Sequence, residues 1–470
     1  MIDFLNALDQ AGIPYVSWKN NHELPLALAG KSDLDIFISE ECRAETLSLA
    51  TSHGWKRLEN PVAIYPSVTH LYKLGDDLQD YHLHVYFRLV TGESWLKEYQ
   101  LPFDEFLVAQ RVKYTDTGVW GLNPRAQAYL CAVRHLLKGE SFFSRFLYRR
   151  ELESYRAEWL RCGQNTGDLR DWGPVSLNDC LPDSGLAAND FDLPGSSTAA
   201  KFRARFEDYL RFPNWSLIPR RILSLVGRAT NKLFFKRKKI ISGGGLIVAI
   251  SGVDGAGKTT MLRESERIFS RFLTVRRLAL GKPQGAVLEA LRKMIRGKRS
   301  QSDPDKPDQA KHHRSARGSV LSSLSPALLA LLRLKTAYRA KRFAKRGYLV
   351  LADRWPTGVH GMMDGPKLET DSQSPWIART CAAVERWAYR RMPQADICFF
   401  LEAPESVLLE RNREREKPGK ETDAEIIARG QQNRQFEPRA QKTIRFDNDG
   451  PLEQKRKELS LQLWQEILAR

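Results

Sequence analysis

The sequence predicts an α/β protein of more than one domain, with a parallel sheet covered by helices on both faces in its C-terminal half. Two observations carry this. Past residue 245, apolar strand-like runs alternate with helical segments, the order that produces parallel strands joined by crossover helices. The chain also has 470 residues, which suits two or three domains better than one. Three parts are expected: a smaller α/β domain over 1–115, a helical connector with a basic amphipathic segment over 116–241, and a larger α/β domain over 242–470.

The elements follow in order. "FLNALDQAG" reads as a short helix stopped at Gly12, "DLDIFIS" as a strand, and "ECRAETLSLATSHG" as a helix stopped at Gly54. "YHLHVYFRLV" reads as one further strand. "PRAQAYLCAVRHLLKG" and "TAAKFRARFEDYL" are helical, with "DCLPDSGLAANDFDLPGSS" as a loop between them. "SGGG" at 242–245 reads as a hinge. "LIVAISG", "TVRRLALG", "YLVLADR" and "ADICFFLEA" are the strand candidates of the last part.

The formal charge of +18 points to anionic partners: nucleotides, phosphorylated substrates or an acidic membrane surface. Charge alone does not separate these from nucleic acid, which is not the expected partner. Cys42, Cys131, Cys162, Cys180, Cys381 and Cys398 show no paired spacing and no zinc pattern, so free thiols in a reducing compartment are expected. "MIDFLNALDQAG" lacks the basic start and apolar core of a signal peptide, and no apolar run approaches the roughly 20 residues of a membrane span. A cytoplasmic protein is expected, in contact with the inner face of a membrane if residues 214–241 act as an interfacial helix. In that segment Trp215, Ile218, Ile222, Leu225, Phe234 and Phe235 are interleaved with Lys and Arg, and no acidic residue occurs between Asp208 and Asp254. A basic linker helix packed on its neighbour is the alternative. The oligomeric state is left open.

"SGVDGAGKTT" carries the clearest chemistry. Gly252, Gly257, Lys258 and Thr259 fit G-x-x-x-x-G-K-[ST] between a buried strand and a helix. In that pattern Gly252, Val253, Asp254, Gly255, Ala256, Gly257, Lys258, Thr259 and Thr260 wrap the phosphates of ATP. Backbone N–H groups and the helix N-terminus attract negative charge, Lys258 bridges the β- and γ-phosphates, and Thr259 ligates Mg²⁺. A second carboxylate for Mg²⁺ is expected at the end of a neighbouring strand, where "YLVLADR" supplies Asp353 and then Arg354. Arg411, Arg413, Arg415, Lys417 and Lys420 are candidates for a cationic lid over the transferring phosphoryl group.

"GVDGAGKTT", "RGYLVLADRW", "ADICFFLEAPESVLLERNRER" and "RFDNDGPLEQKRKELSLQLWQEI" together resemble the thymidylate-kinase-like P-loop kinases, over about 246–470. The resemblance implies a P-loop NTPase fold with ATP and Mg²⁺. It also implies Asp254 near an acceptor hydroxyl, Asp353 at magnesium or the acceptor, Arg354 on an acceptor phosphate, and Arg411–Arg415 as lid. Where that family carries an Arg-Glu-Pro-Gly-Gly-like loop, this chain has "LGKPQG", with Lys282 as a point charge instead of an arginine fork. Arg333 lies close to where the family places a helix arginine. "PTGVHGMMDGP" replaces the thymidine-pocket sequence and brings Asp364 as a further acceptor-side carboxylate. This variant resembles kinase-like proteins associated with bacterial surface-polysaccharide biosynthesis, which implies a nucleotide, sugar-phosphate or glycan acceptor. A nucleotide-gated scaffold without catalysis, a bifunctional kinase/nucleotidyltransferase and a genuine dTMP kinase are the alternatives.

Near the N-terminus, "GKSDLDIFIS" places Asp33 and Asp35 two apart, so both carboxylates share one strand face, with Leu34, Ile36 and Ile38 opposite. Such a pair can hold divalent metal for in-line nucleotidyl transfer. "YVSWKNNHELPLALAGKSDLDIFI" resembles nucleotidyltransferase-fold proteins. Where that resemblance implies a third carboxylate, "DYHLHVYF" offers His82 and His84, with Asp80 at the strand start.

Overall fold

The computed structural model of the chain describes residues 1–63, 65–93, 96–138, 158–161, 168–178, 196–252, 255–280, 320–362, 364–413 and 438–470. The chain divides into two compact units, Met1–Lys239 and Ile240–Arg470. Both are mixed α/β. No helix among the described residues is long and apolar enough to cross a membrane.

In the first unit the main sheet is built from β1 (Tyr15–Ser17), β2 (Leu34–Ile38), β3 (Lys56–Glu59), β4 (Val68–Leu74), β5 (Asp80–Tyr86), β8 (Arg111–Lys113) and β9 (Trp120–Leu122), in the order β3-β4-β5-β2-β1-β9-β8. β6 (Leu89–Thr91) and β7 (Tyr99–Leu101) form a separate antiparallel pair. The main sheet is mixed: β2 runs parallel to β5, and β4 antiparallel to it. Alternation along β2 sends Leu34, Ile36 and Ile38 into a core shared with Phe4, Leu5 and Leu8 of helix Ile2–Gln10. Phe37 enters a second core on the other face. Helix Pro124–Lys138 lies in that second core. It is buried on nearly every side, its polar Gln127, Arg134 and Lys138 included. Of residues 116–241, read from the sequence as connector, all but the last two fall within the first unit.

"YHLHVYFRLV" is not one strand. The pairing with β4 runs out at the Phe87 N–H, donated to Ser67 O (2.9 Å), and Arg88 then reaches toward Asp104 (3.5 Å) before β6 begins at Leu89. The loop "DCLPDSGLAANDFDLPGSS" lies largely outside the described residues, apart from its last serines, which begin helix Ser196–Arg205.

The second unit begins with β10 (Ile240–Ile241), followed by β11 (Leu246–Gly252), β12 (Val275–Ala279), β13 (Leu349–Asp353), β14 (Ala395–Glu402) and β15 (Ala440–Asp447). The last five form an all-parallel sheet in the order β12-β13-β11-β14-β15. Ile247 and Ala249 of β11 pack with Ala330, Leu334, Ala337 and Ala340 of helix Val320–Lys345 and with Ala388 and Tyr389 of helix Trp376–Arg391. The alternate residues Val248 and Ile250 point to the other face. Helix Lys258–Phe269 touches the sheet and packs against helix Leu452–Leu468.

The alanines on helix Val320–Lys345 let it approach the sheet closely, and Gly245 shows how little room the entry to β11 leaves. A Cβ there would meet Tyr348 O at 2.0 Å. Gly245→Ala is therefore expected to destabilise the second unit by roughly 1–3 kcal/mol, the ordinary cost of overpacking. Gly358→Ala, where nothing lies within 4 Å of the new atom, should leave it unchanged. Melting curves of the two variants check this; equal midpoints would contradict the close approach.

Candidate functional site

β11 is buried along its whole length and hydrogen-bonded between β13 and β14. β12 and β13 lie on one side of it, β14 and β15 on the other, so the direction in which strands are added reverses at β11. In open α/β sheets ligands bind outside the carboxyl ends of the strands at such a reversal. The glycine-rich segment leaves β11 at that end. Gly252 has φ 142°, and a Cβ on it would strike Leu401 O at 2.3 Å, so glycine alone lets the chain pass β14 here. Gly257 has φ 83° and caps helix Lys258–Phe269 at its N-terminal end.

Around this loop the structure assembles several of the sequence-predicted residues. Gly255 and Ala256 are buried, Lys258 is buried in the first helical turn, and Thr259 and Thr260 are exposed. Val253 and Asp254 lie outside the described residues, as do Lys282 and Arg415. Asp353 ends β13 directly opposite Ile250 of β11 and is half-buried. Arg354 follows in a left-handed conformation (φ 67°), its N–H donated to Ile250 O at 3.0 Å.

Arg411 was expected on a lid. It stands on helix Glu405–Arg413, which packs on the loop itself. A Cβ at Gly255 would come within 3.1 Å of Leu408 Cδ2, and one at Gly257 within 3.9 Å of Arg411 Nη1. Three residues apart on a helix, Leu408 and Arg411 share that face. Arg411 Nη1 is buried and has no hydrogen-bond partner among the described residues. A buried guanidinium N–H without an acceptor is costly, and an anion in the loop would satisfy it.

Sequence reasoning missed Asn448. It is buried just after β15, takes its place through N–H donation to Glu402 O (2.7 Å), and donates Nδ2 to Ala256 O (2.7 Å). Its amide would lie 2.5 Å from a Cβ at Gly257, so the absent side chain is what admits it. The signal was present in "RFDNDG", a turn cluster after an alternating run.

Arg333 and Asp364 come together with Arg354, but not as open contacts. Arg333 is buried. It donates to Leu280 O (2.8 Å), Asp364 O (3.1 Å), Tyr389 Oη (2.6 Å) and Asp364 Oδ1 (2.5 Å). Arg354 Nη1 lies 3.4 Å from Asp364 Oδ2. Asp364 thus spans two arginines, one buried and one part-exposed.

In the first unit Asp33 and Asp35 share a face, as the alternation requires. Both meet His84 Nδ1, at 3.1 and 3.0 Å. Lys19 Nζ sits 3.0 Å from Asp35 Oδ1, and Lys19 and Lys97 both donate to Tyr86 Oη, at 3.3 and 3.0 Å. Burial opposes charge on Asp35, but Lys19 and His84 outweigh it and hold its carboxyl at about 2. Burial, then Lys19, pushes the Lys97 amine down to about 7. A Mg²⁺ ion on this pair would compete with Lys19 and His84 for Asp35 Oδ1 and with His84 for Asp33 Oδ2.

No family model matches the chain, and no curated protein matches it.

The Arg333–Asp364 pair supplies a prediction. Asp364→Ala strands a buried guanidinium and should cost roughly 3–5 kcal/mol, the usual penalty for halving a buried pair. Arg354→Ala, at the more exposed end, should cost under about 1 kcal/mol. Urea titrations of both variants measure the difference; a mild Asp364→Ala would mean that Arg333 is compensated elsewhere.

Proposed function

We propose that the second unit is an ATP- and Mg²⁺-dependent phosphotransferase of the thymidylate-kinase-like kind, passing the γ-phosphate to a small acceptor. The observation that carries this is the buried Arg411 Nη1, without a partner among the described residues, against a glycine loop at the strand-order reversal of a parallel sheet. On this reading the loop N–H groups and Lys258 bind the phosphates, and Arg411 holds the charge that develops during transfer. Arg354 orients the acceptor, itself positioned by Asp364. Thr259 and Asp353 present oxygen donors, the set a hard cation takes, and would hold Mg²⁺, which when bound neutralises phosphate charge. The acceptor is a phosphorylated or hydroxylated saccharide ahead of dTMP, because Lys282 stands where an arginine fork would grip thymidylate. A place in surface-polysaccharide biosynthesis is consistent with that acceptor.

Acceptor-dependent ADP release over a panel of nucleoside monophosphates, sugar phosphates and glycans tests the assignment. Lys258→Ala should abolish release without lowering the melting point. Asp353→Asn should keep ATP binding and lose transfer by about 10²-fold or more, the scale of removing one electrostatic group. ATP binding with no acceptor-dependent release from any of the panel would favour the nucleotide-gated scaffold. Efficient dTMP phosphorylation would overturn the acceptor assignment alone.

The reading extends to a membrane surface. Helix Asn214–Thr230 buries Leu217 and fastens Arg221 to Glu93 (3.4 Å) and Glu98 (2.9 Å). It leaves Trp215 (82% exposed), Ile218, Ile222 and Val226 outside on one stripe, followed by the exposed Leu233 and Phe234. An apolar stripe on a basic helix suits anionic lipid. Cosedimentation with phosphatidylglycerol vesicles should retain the protein, phosphatidylcholine vesicles should not, and Ile218→Asp with Ile222→Asp should release it. Failure of the unaltered chain to bind would remove the lipid from the proposal.

A further inference from the structure

Three strands of the first unit set a polar row into one face of an otherwise apolar sheet. His82 and His84 stand two apart on β5 and so point the same way. In the antiparallel register with β4, His70 lies opposite His84 and Tyr72 opposite His82. In the parallel register with β2, Asp35 lies opposite His84. The alternate residues Leu71, Leu83 and Val85 belong to the apolar core on the other face. The row is therefore a product of register, and none of the kinase roles uses it.

The three imidazoles converge. One ring nitrogen of each of His70, His82 and His84 lies within 4.8 Å of the others, and His70 Nδ1 is 3.2 Å from His82 Nε2. Two nitrogens bound at about 2.0–2.1 Å to a tetrahedral zinc ion stand roughly 3.3 Å apart. The His70–His82 spacing already has that length. The rings are also held. Tyr72 stacks on His82 with centroids 4.0 Å apart, and His84 Nδ1 is taken by Asp33 and Asp35, which leaves Nε2 as its remaining donor to a metal. A carboxylate behind a histidine is the usual device for fixing the tautomer and direction of a metal ligand.

We propose that His70, His82 and His84 bind one zinc-class transition-metal ion, with Asp33 and Asp35 orienting His84 from behind. The chemistry sets the class of ion. Imidazole nitrogens favour Zn²⁺, Co²⁺ or Ni²⁺, whereas Mg²⁺ prefers oxygen, and Asp35 Oδ1 is already shared by Lys19 and His84. The ion is thus distinct from the magnesium of the second unit. One cation stands in its way: Lys239 Nζ lies 3.2 Å from both nitrogens of His70 and must swing aside when the metal enters. Its long stem permits that movement, and its removal should favour the metal.

The test uses the full-length chain stripped with chelator and dialysed against Co²⁺ or Zn²⁺. One equivalent of metal is expected, with visible ligand-field bands for Co²⁺ that survive a large excess of Mg²⁺. His70→Gln and His82→Gln should each weaken binding by about 10²-fold or more, and Asp33→Asn by about 10–100-fold through the orienting contact. Lys239→Met should tighten it. Circular dichroism of the metal-free variants separates lost ligands from lost fold. X-ray absorption of the zinc-loaded unaltered chain needs no variant, and imidazole scattering is expected in it. Sub-stoichiometric binding, an oxygen-only shell, or full affinity after loss of His70 and His82 would each overturn the site.

Discussion

Strand β11 exposes none of its seven residues and is hydrogen-bonded on both flanks, and the candidate chemistry of the second unit depends on that immobility. A strand held on two sides delivers its last residue to a fixed point. From there Gly252 passes Leu401 with no room for a side chain, and the loop turns into a helix at Lys258. Asp353 arrives beside it because β13 is in register with β11, and Arg411 and Leu408 arrive because the helix after β14 packs back onto the loop. Segments from three separate strand ends are thus brought to one end of the sheet by backbone pairing and helix packing, the place where open parallel sheets take ligands.

Both units use a buried carboxylate in the same way. Asp35 joins Lys19 and His84; Asp364 joins Arg333 and Arg354. In a chain of formal charge +18 such acids are scarce relative to the cations they serve. Desolvation cancels much of the Coulomb gain in a buried pair, so its main effect is to fix one arrangement of long side chains. Arg354 and His84 are each held this way beside a row of functional groups. Arg354 nonetheless stays partly exposed.

Much of this was legible in the sequence, and the exceptions have physical causes. β11, β13 and β14 announce themselves as apolar runs because they are buried on both faces. β15 does not: it is an edge strand, mostly exposed, and reads "AQKTIRFD", with no continuous apolar run. Asp33 and Asp35 were placed on one face by period two alone, and His84 joins them as the register dictates. His70 and Lys97 could not be foreseen there, since they reach the cluster from β4 and from the segment before β7, and pairing register is invisible in a single sequence. Asn448 stands in a recognisable turn cluster, but its contact with Ala256, 192 positions away, is equally invisible there. Arg333 was foreseen as a residue of the site but not as one enclosed by Asp364 and Tyr389.

The strand order of the two sheets also sets a timetable. Every strand of the first unit's main sheet that precedes residue 123 is available once Leu122 has been made. In the second unit Val248 must wait for Ile397, 149 positions later, and β14 must wait for β15, which ends at Asp447. Contacts so distant along the chain close slowly, and until they close the apolar strands lack their covering partners. On the ribosome the first unit can be folded while β11, among the most hydrophobic segments of the protein, is still without a neighbour. The interval between its synthesis and that of β14 is when this chain is most exposed to aggregation and has most use for a chaperone.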